Sequence, residues 1–309
     1  MSEGIRTAAP APRRDAGLAG FCVRLWREKP LGTACSIIVL LLLLVVIFAD
    51  VLAPFEYMEI HLRDRMQGSS TQYLLGTDHL GRDLLSRLIH GARLSLVVGL
   101  AATTLNVVVA VLIGGATGFL GGKLDLIMQR FVDAWMSFPG LLLLLTIMSL
   151  LGRGMLQIIV VLGISGGIPA SRVMRSAVIG VKENAYFQAA AAIGCSNWQT
   201  LIRHVLPNIA APAIIIFTVN IGGVIIAEAS LSFLGFGLPP DVPSWGGMLS
   251  REGRQYMEMA PRLALWPGLC LTIVVYSLNM FGDAVRDLLD PRLRGGGRLG
   301  ADTGGAGSV

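Results

Sequence analysis

Six long apolar runs dominate the chain of 309 residues, and polar segments separate them. The runs hold 18 to 29 residues without a charged side chain, and about 17–25 apolar residues can cross a bilayer as an α-helix. The pattern therefore predicts an all-α integral membrane bundle of six spans. Glycines and a proline interrupt the fourth run, so the pattern does not define where that span begins and ends. The runs cover residues 31–49, 94–122, 134–152, 154–171, 205–227 and 263–282.

The composition also indicates a membrane protein. Charged residues make up 15% of the chain, whereas a soluble domain carries about 25%. We divide the chain into an N-terminal tail at 1–30, one six-span domain at 31–291 and a Gly-rich tail at 292–309. Apolar residues at helical spacing predict two further helices, at 83–96 and 123–135.

The distribution of Lys and Arg predicts the orientation. If the N-terminus lies in the cytoplasm, 16 of the 25 Lys and Arg residues fall in inner segments and 9 in outer segments. Inner segments of membrane proteins carry the excess of positive charge. We therefore expect both termini inside, segment 50–93 outside and segment 172–208 inside. The net charge of +5 then reflects topology and contact with the lipid bilayer, and it indicates no nucleic-acid partner.

The polar segment between the fourth and fifth runs carries the signals of a helical hairpin. Residues 188–193 are rich in Ala, the best helix former. Gly194 stands where a helix end needs a left-handed residue. Ser196 and Gln199 have the spacing of a capping box, which starts a second helix, and Pro207 is expected to end it. Such a hairpin on a membrane protein indicates contact with something outside the membrane.

Four motifs resemble those of one transporter family. Gln188-Ala189-Ala190, Gly194 and Leu206-Pro207 resemble the cytoplasmic EAA loop of ABC-importer permeases, with Gln188 in place of the usual Glu. Three other segments are similar to permeases of the dipeptide/oligopeptide/nickel branch, and the chain resembles the second, C-type permease of the pair. These segments are 75–87, 229–237 and 283–291.

The resemblance implies a type I ABC importer permease in a bacterial inner membrane, with segment 50–93 in the periplasm. It implies a complex with a homologous permease, two ABC ATPase subunits and a periplasmic solute-binding protein, which works by alternating access. The hairpin would couple the permease to the ATPases through Gln188, Ala189, Ala190, Gly194, Ser196, Leu206 and Pro207. Di- and oligopeptides are the implied cargo, and nickel chelates and glutathione-like peptides stay open as alternatives.

The chain lacks its own means of using ATP. The Gly122-Lys123 pair is followed by Leu124 and is not preceded by the glycine of a phosphate-binding loop. We therefore expect no enzyme activity and no cofactor in this chain, with ATP and Mg on the partner subunits. An ion-coupled secondary transporter is the alternative from another class. Such proteins place ionisable groups near the membrane midplane, and the six runs contain no Asp, Glu, Lys or Arg.

Glu228 and Ser230, just past the fifth run, are candidates for the substrate path or its gate. The alternative for Glu228 is a charge at a helix end that reaches the membrane surface. His61, His79 and His90 lack the spacing of a metal site, so we expect neutral surface histidines and no metal.

Small residues within the runs predict close contacts. Gly114, Gly118 and Gly122 recur at every fourth position, which lets helices pack closely. Ser165 lies in a Gly-x-Ser-x-Gly pattern, but it falls inside a predicted spanning helix without a nearby His, so a hydrolase is excluded. The small residues around Ser165 are expected to line a helix contact or an aqueous path.

Overall fold

Helices make up the secondary structure of residues 18–185, 187 and 194–289, which are the residues that the computed structural model describes, apart from one β-bridge between Thr77 and Asp83. In chain order the elements are α1 (Leu18–Glu28), α2 (Pro30–Ile47), α3 (Ala49–Leu52), a 3₁₀ turn (Leu62–Asp64), α4 (Leu84–Leu120), α5 (Gly122–Met136), α6 (Gly140–Leu151), α7 (Met155–Lys182), α8 (Asn197–Thr200), a π-turn (Leu201–Val205), α9 (Leu206–Phe233), α10 (Trp245–Met248), a second π-turn (Leu249–Gly253) and α11 (Arg262–Leu289).

Within these ranges, five helices are long and apolar enough to cross a membrane, namely α2, α4, α7, the continuous stretch Asn197–Phe233 and α11. They confirm five of the six predicted spans. Several extend past the charge-free runs, because local caps set their ends. Asp83, for example, accepts a hydrogen bond from the Ser86 backbone N–H at 2.7 Å and starts α4 well before the second run. The helix predicted at 83–96 is thus the beginning of α4.

The third span differs from the prediction. Instead of one helix over 134–152, the chain forms α5 and α6, which meet at an angle of 91°. Pro139 lies at the break, where it disfavours helical geometry in the residue before it. α6 has 12 residues and rises about 18 Å, which is less than the hydrocarbon thickness of about 30 Å. Only the bent pair taken together can count as a sixth span. The helix predicted at 123–135 is confirmed as α5.

Glycine contacts show that α4 and α7 run in the same direction. Gly114 lies directly against Ser171, and Gly118 lies against Val178 further along both helices. These two glycines confirm the predicted close packing. Gly122 does not take part, since it has a φ of +59° and no atoms near the position of a Cβ. It begins α5 after the turn at Gly121, so its role is in the backbone of that turn.

The remaining spans alternate in direction. Gly99 of α4 lies against Ile225, and Ser95 bonds Glu228, so α9 runs antiparallel to α4. The ends of the spans therefore define two faces. The loop face carries segments 53–83, 152–154 and 234–261. The terminal face carries segments 121–139 and 194–205, residues 183–185 and 187, and both ends of the described chain, near Leu18 and Leu289.

Candidate functional site

The turn at Gly194 and Ser196 has the geometry that the hairpin motif predicts. Gly194 has a φ of +81°, in the left-handed region that glycine adopts without strain. The Ser196 hydroxyl accepts a hydrogen bond from the Gln199 N–H at 3.3 Å, and the Gln199 side chain accepts one from the Ser196 N–H at 3.2 Å. This reciprocal pair is a capping box that starts α8. Gln188, Ala189 and Ala190 lie outside the described residues.

Pro207 does not end the second helix of the hairpin as predicted. Helical structure continues from Asn197 to Phe233. The π-turn Leu201–Val205 comes directly before the proline, and its wider ring is closed by the Leu206 N–H on the Leu201 carbonyl. A π-turn changes the bonding register beside a residue that has no N–H. Pro207 then occupies the first turn of α9, where it loses no hydrogen bond.

The hairpin helix is anchored in the bundle at its base and exposed at its tip. Val205 and Ile209 are buried in a cluster with Met174 and Val178 of α7. Trp198, by contrast, leaves 69% of its surface exposed. The stretch of 37 residues from tip to far end spans about 55 Å. One helical stretch therefore connects the exposed tip to the opposite face.

The other arm of the hairpin is fixed to the end of α4. Lys182 donates a hydrogen bond from Nζ to the Phe119 carbonyl at 2.8 Å, which satisfies one of the free carbonyls at that helix end. Phe187 meets the Phe119 ring edge-on, with 6.4 Å between centroids. Lys182 and Phe187 thus attach the start of this arm to the end of α4 on the terminal face.

Ion pairs fasten α5 to α7 on the same face. Arg175 donates from Nε and Nη2 to the two oxygens of Asp125, at 2.6 and 2.5 Å. Arg172 pairs with Asp133. Asp125 and Asp133 lie eight residues apart, which places them on one side of α5. Because the fork of Arg175 is bidentate, it fixes the orientation of α5 as well as its distance.

A buried cluster of four charges holds the loop face together. Arg82 donates to Asp78 at 2.6 Å and to Glu252 at 2.8 Å, and Arg87 donates to the same Glu252 oxygen at 3.2 Å. All four side chains are at most 7% exposed. Two cations balance two anions, which is the condition for keeping charges out of water. The cluster joins the segment before α4 to the second π-turn, which precedes α11.

His79 lies beside this cluster and is not a simple surface histidine as predicted. Its ring stacks on Tyr256 with 5.5 Å between centroids, and its Nδ1 is 4.0 Å from Glu252 Oε1. Asp78, His79 and Glu252 are close enough together to ligate a metal ion. However, both carboxylates already face the guanidinium groups of the cluster, so their charge is matched within the protein.

Glu228 is enclosed by the bundle instead of reaching the membrane surface, so the surface alternative is wrong. Its side chain is fully buried. One oxygen accepts a hydrogen bond from Ser232 at 2.8 Å and the other accepts one from Ser95 at 3.2 Å. These bonds offset part of the cost of removing a carboxyl group from water and connect α9 to α4. Ser230 is half-buried and donates to the Ile226 carbonyl of its own helix.

A cavity of about 720 Å³ lies among α4, α6, α7 and α9. Much of its lining is apolar, and Asn106, Ser165 and Asn220 supply uncharged hydrogen-bonding groups. Gly166, Pro169 and Gly223 leave space between the helices. Gly163 and Gly167 lie against Leu105 and Val109 of α4, whereas Ser165 and Gly166 line the open volume, so the predicted helix contact is present and the aqueous path stays a prediction. Glu228 and Ser230 are absent from the lining, although their neighbour Ala227 belongs to it.

Comparison with known families classifies the chain. Residues 110–295 match the family described as "Binding-protein-dependent transport system inner membrane component". Residues 23–72 match "N-terminal TM domain of oligopeptide transport permease C". The chain belongs to the binding-protein-dependent transport permeases. A permease of this family works with ATPase and solute-binding proteins, so the secondary-transporter alternative is wrong.

The relatives of this chain are also transport permeases. The chain is 35% identical over 278 residues to the glutathione transport system permease protein GsiD of Pectobacterium atrosepticum, across 87% of this chain and 92% of that protein. It is 37% identical over 276 residues to the dipeptide transport system permease protein DppC of Alkalihalophilus pseudofirmus, across 87% and 90%.

The fold of the permease also has a solved counterpart. A chain of the MetNI methionine ABC transporter, determined in inward-facing conformations, superposes with a TM-score of 0.54 at 17% identity. The match covers 66% of this chain and 96% of that chain. It confirms the predicted fold class, the permease bundle of a type I ABC importer.

Two parts of the site in this permease were missed by sequence reasoning. The loop-face cluster was noted only as a motif, because nothing local relates Arg82 to Glu252, which lies 170 residues away. The attachment of α5 to α7 was also missed. Its signal was present, since Asp125 and Asp133 share one helix side and Arg172 and Arg175 follow in the next polar segment.

Proposed function

We propose that this chain is the C-type permease of an ATP-driven, binding-protein-dependent importer of di- and oligopeptides. The observation that carries the proposal is identity of 35–37% across about nine tenths of a glutathione permease and a dipeptide permease. Glutathione and dipeptides are both short peptides. The amide and hydroxyl groups of Asn106, Ser165 and Asn220 on the cavity wall can bond such cargo, and Arg286 adds one positive charge to the lining.

The proposed assembly pairs this chain with a homologous permease, two ATPase subunits and a periplasmic solute-binding protein in the inner membrane of a bacterium. The terminal face lies in the cytoplasm and the loop face in the periplasm. The excess of Lys and Arg in the segments of the terminal face supports this orientation. ATP and Mg bind to the ATPase subunits, and this chain holds neither.

Coupling in the proposed mechanism runs through the hairpin. ATP binding brings the ATPase subunits together and displaces the exposed tip around Trp198. The helix that begins at Asn197 carries this displacement to Glu228, and the hydrogen bond between Glu228 and Ser95 passes it to α4. Rigid transmission requires a helix anchored by packing, and Val205 and Ile209 provide that anchor. The bundle then opens on the periplasmic side and accepts the peptide from the binding protein.

Reconstitution of the four components into liposomes tests the proposal. We expect uptake of Ala-Ala, tri-Ala or reduced glutathione that requires ATP, the ATPase subunits and the binding protein together. Vesicles with a non-hydrolysable ATP analogue serve as the control. Uptake driven by an ion gradient in the absence of the ATPases would contradict the proposal. A complex that transports none of the three peptides would contradict it as well.

A further inference from the structure

Asn106 is a buried amide whose carbonyl oxygen has no partner. It lies near the middle of α4, is 2% exposed and lines the cavity. Among the described residues, no group donates a hydrogen bond to its Oδ1. Buried polar atoms are nearly always bonded, and an unbonded one is costly. Asn106 Oδ1 is one of several such atoms among the described residues, and together with Ser165 Oγ it belongs to a residue that lines this cavity.

The protein keeps space for this amide. A side chain at Gly166 of α7 would collide with Asn106 Nδ2, because a Cβ built there falls inside contact distance. Gly166 also lines the cavity, so this contact between the two helices is on the cavity wall. The backbone of α7 thus leaves the amide directed along the wall instead of filling the gap with its own side chain.

Ser165 repeats the observation on α7. Other hydroxyls in the spans, such as those of Thr104, Thr218 and Thr272, donate to the carbonyl four residues earlier in the same helix. Such a bond satisfies a polar group inside a membrane helix. Ser165 Oγ is buried and has no partner in the described part of the chain. A second hydrogen-bonding group on the cavity wall is therefore unused.

We propose that Asn106, Ser165 and Asn220 form a subsite that binds a backbone peptide group of the substrate during its passage. The inference rests on the proposed function and deepens it. An amide side chain both donates and accepts, and it therefore matches a peptide group, which does the same. The three residues lie on α4, α7 and α9, so the helices that carry the hairpin motion also carry the subsite.

Neutral groups suit a transient site. A charged side chain such as Arg286, which also lines the cavity, can interact with one terminus of a peptide, whereas the backbone amides that the uncharged subsite would bind are common to all peptides. Each hydrogen bond to an uncharged partner contributes modestly in net terms, so the peptide can leave the site again. The subsite would therefore recognise the class of substrate and leave the choice among peptides to the binding protein.

N-methylated peptides test the subsite, because methylation removes the backbone N–H that would donate a hydrogen bond to Asn106 Oδ1. The probes are Ala-Ala, tri-Ala and reduced glutathione, each with a counterpart methylated at one peptide nitrogen. ATP-dependent uptake is measured in the full reconstituted complex. The quantity of interest is kcat/KM for each peptide divided by kcat/KM for its counterpart. The binding protein is the same throughout, so its own preference cancels when this ratio is compared between variants.

Asn106→Leu has nearly the same shape and removes the hydrogen bond. We expect it to lower kcat/KM of the unmodified peptide about three- to tenfold, the effect of losing one net hydrogen bond, and to lower the ratio by a similar factor. Thr104→Val on the same helix is the matched control, because Thr104 is exposed and its hydroxyl bonds its own helix. It should leave both quantities unchanged.

An unchanged ratio in both Asn106→Leu and Asn220→Leu would overturn the subsite. If Asn106→Leu does not assemble, the ratio in Ser165→Ala decides in the same way. Failure of the subsite leaves wild-type uptake intact, whereas a wild-type complex that transports no probe refutes the proposed function and this inference with it.

Discussion

Substitution of Gly194 by valine tests the coupling hairpin at its turn. Gly194 has a φ of +81°, and in the described part of the chain no atom beyond its own neighbours lies within 4 Å of the position of a Cβ there. The substitution therefore produces no collision, and its whole effect is backbone strain. An L-residue in the left-handed region costs about 1–2 kcal/mol, and a β-branched residue lies at the upper end of that range.

This strain is large enough to change the turn. The Ser196 cap that follows contributes about 1 kcal/mol, so the chain can relieve the strain by giving up the cap. A free-energy change of 1–2 kcal/mol alters the ratio of two conformations roughly 5- to 30-fold. We therefore expect Gly194→Val to lower substrate-stimulated ATP hydrolysis at least about fivefold, with normal amounts of permease in the membrane.

Two variants isolate the cause. Gly194→Asn should behave nearly as wild type, because asparagine adopts left-handed geometry at little cost. Gly152 is the matched control, since it has a φ of +82° and an equally open Cβ position but lies on the loop face. Gly152→Val carries the same strain and should leave coupling intact.

The assay combines co-purification with the ATPase subunits and peptide-stimulated ATP hydrolysis in liposomes. If Gly194→Val keeps full stimulated turnover and normal ATPase association, the hairpin is not the coupling element. Equal loss of coupling in Gly152→Val would show that strain anywhere in the bundle has the same effect, and the reasoning from the turn would fail.

Four further results are expected. An impermeant maleimide added from outside should label cysteines placed at Gln67 or Gln255 of a cysteine-free chain, and labelling only after the inner face is opened would reverse the orientation. The purified chain without partners should hydrolyse no ATP in a phosphate-release assay. Glu252→Gln leaves two buried arginines short of one anion and should lower the free energy of unfolding by about 3 kcal/mol, measured by thermal melting in detergent, whereas the exposed Glu258→Gln should not. Gln188→Glu introduces the usual residue of related loops and should retain peptide-stimulated ATP hydrolysis. A complete loss of this hydrolysis would show that the loop does not work as the related loops do.

Local features of the site were predictable because neighbouring residues determine them. The capping box at Ser196 needs only Gln199 three positions later, and the left-handed turn needs only a glycine after a helix. The spans followed from apolar runs because a helix in lipid satisfies its own backbone bonds. The prediction that Pro207 ends the helix was wrong, because the π-turn before this proline allows the helix to continue.

The break of the third span shows that an apolar run does not predict the direction of a helix. The run at 134–152 is continuous in composition, yet it contains the end of α5, a bend at Pro139 and α6. α5 is held against α7 by Arg175 and Asp125, which are 50 residues apart. Hydropathy records how apolar a segment is, whereas the direction of the segment depends on contacts that hydropathy does not contain.

The sequence by itself determined that this chain is a helical membrane protein with a capped polar hairpin, because length, hydropathy and capping act over a few turns of one helix. Only the tertiary structure decided that Glu228 is enclosed, that Arg82 and Arg87 share Glu252, and that Asn106 faces a cavity with a free oxygen. Burial and pairing are properties of helices that meet in space. The free energy of a polar group depends on its neighbours there, and residues more than a hundred positions away supply them.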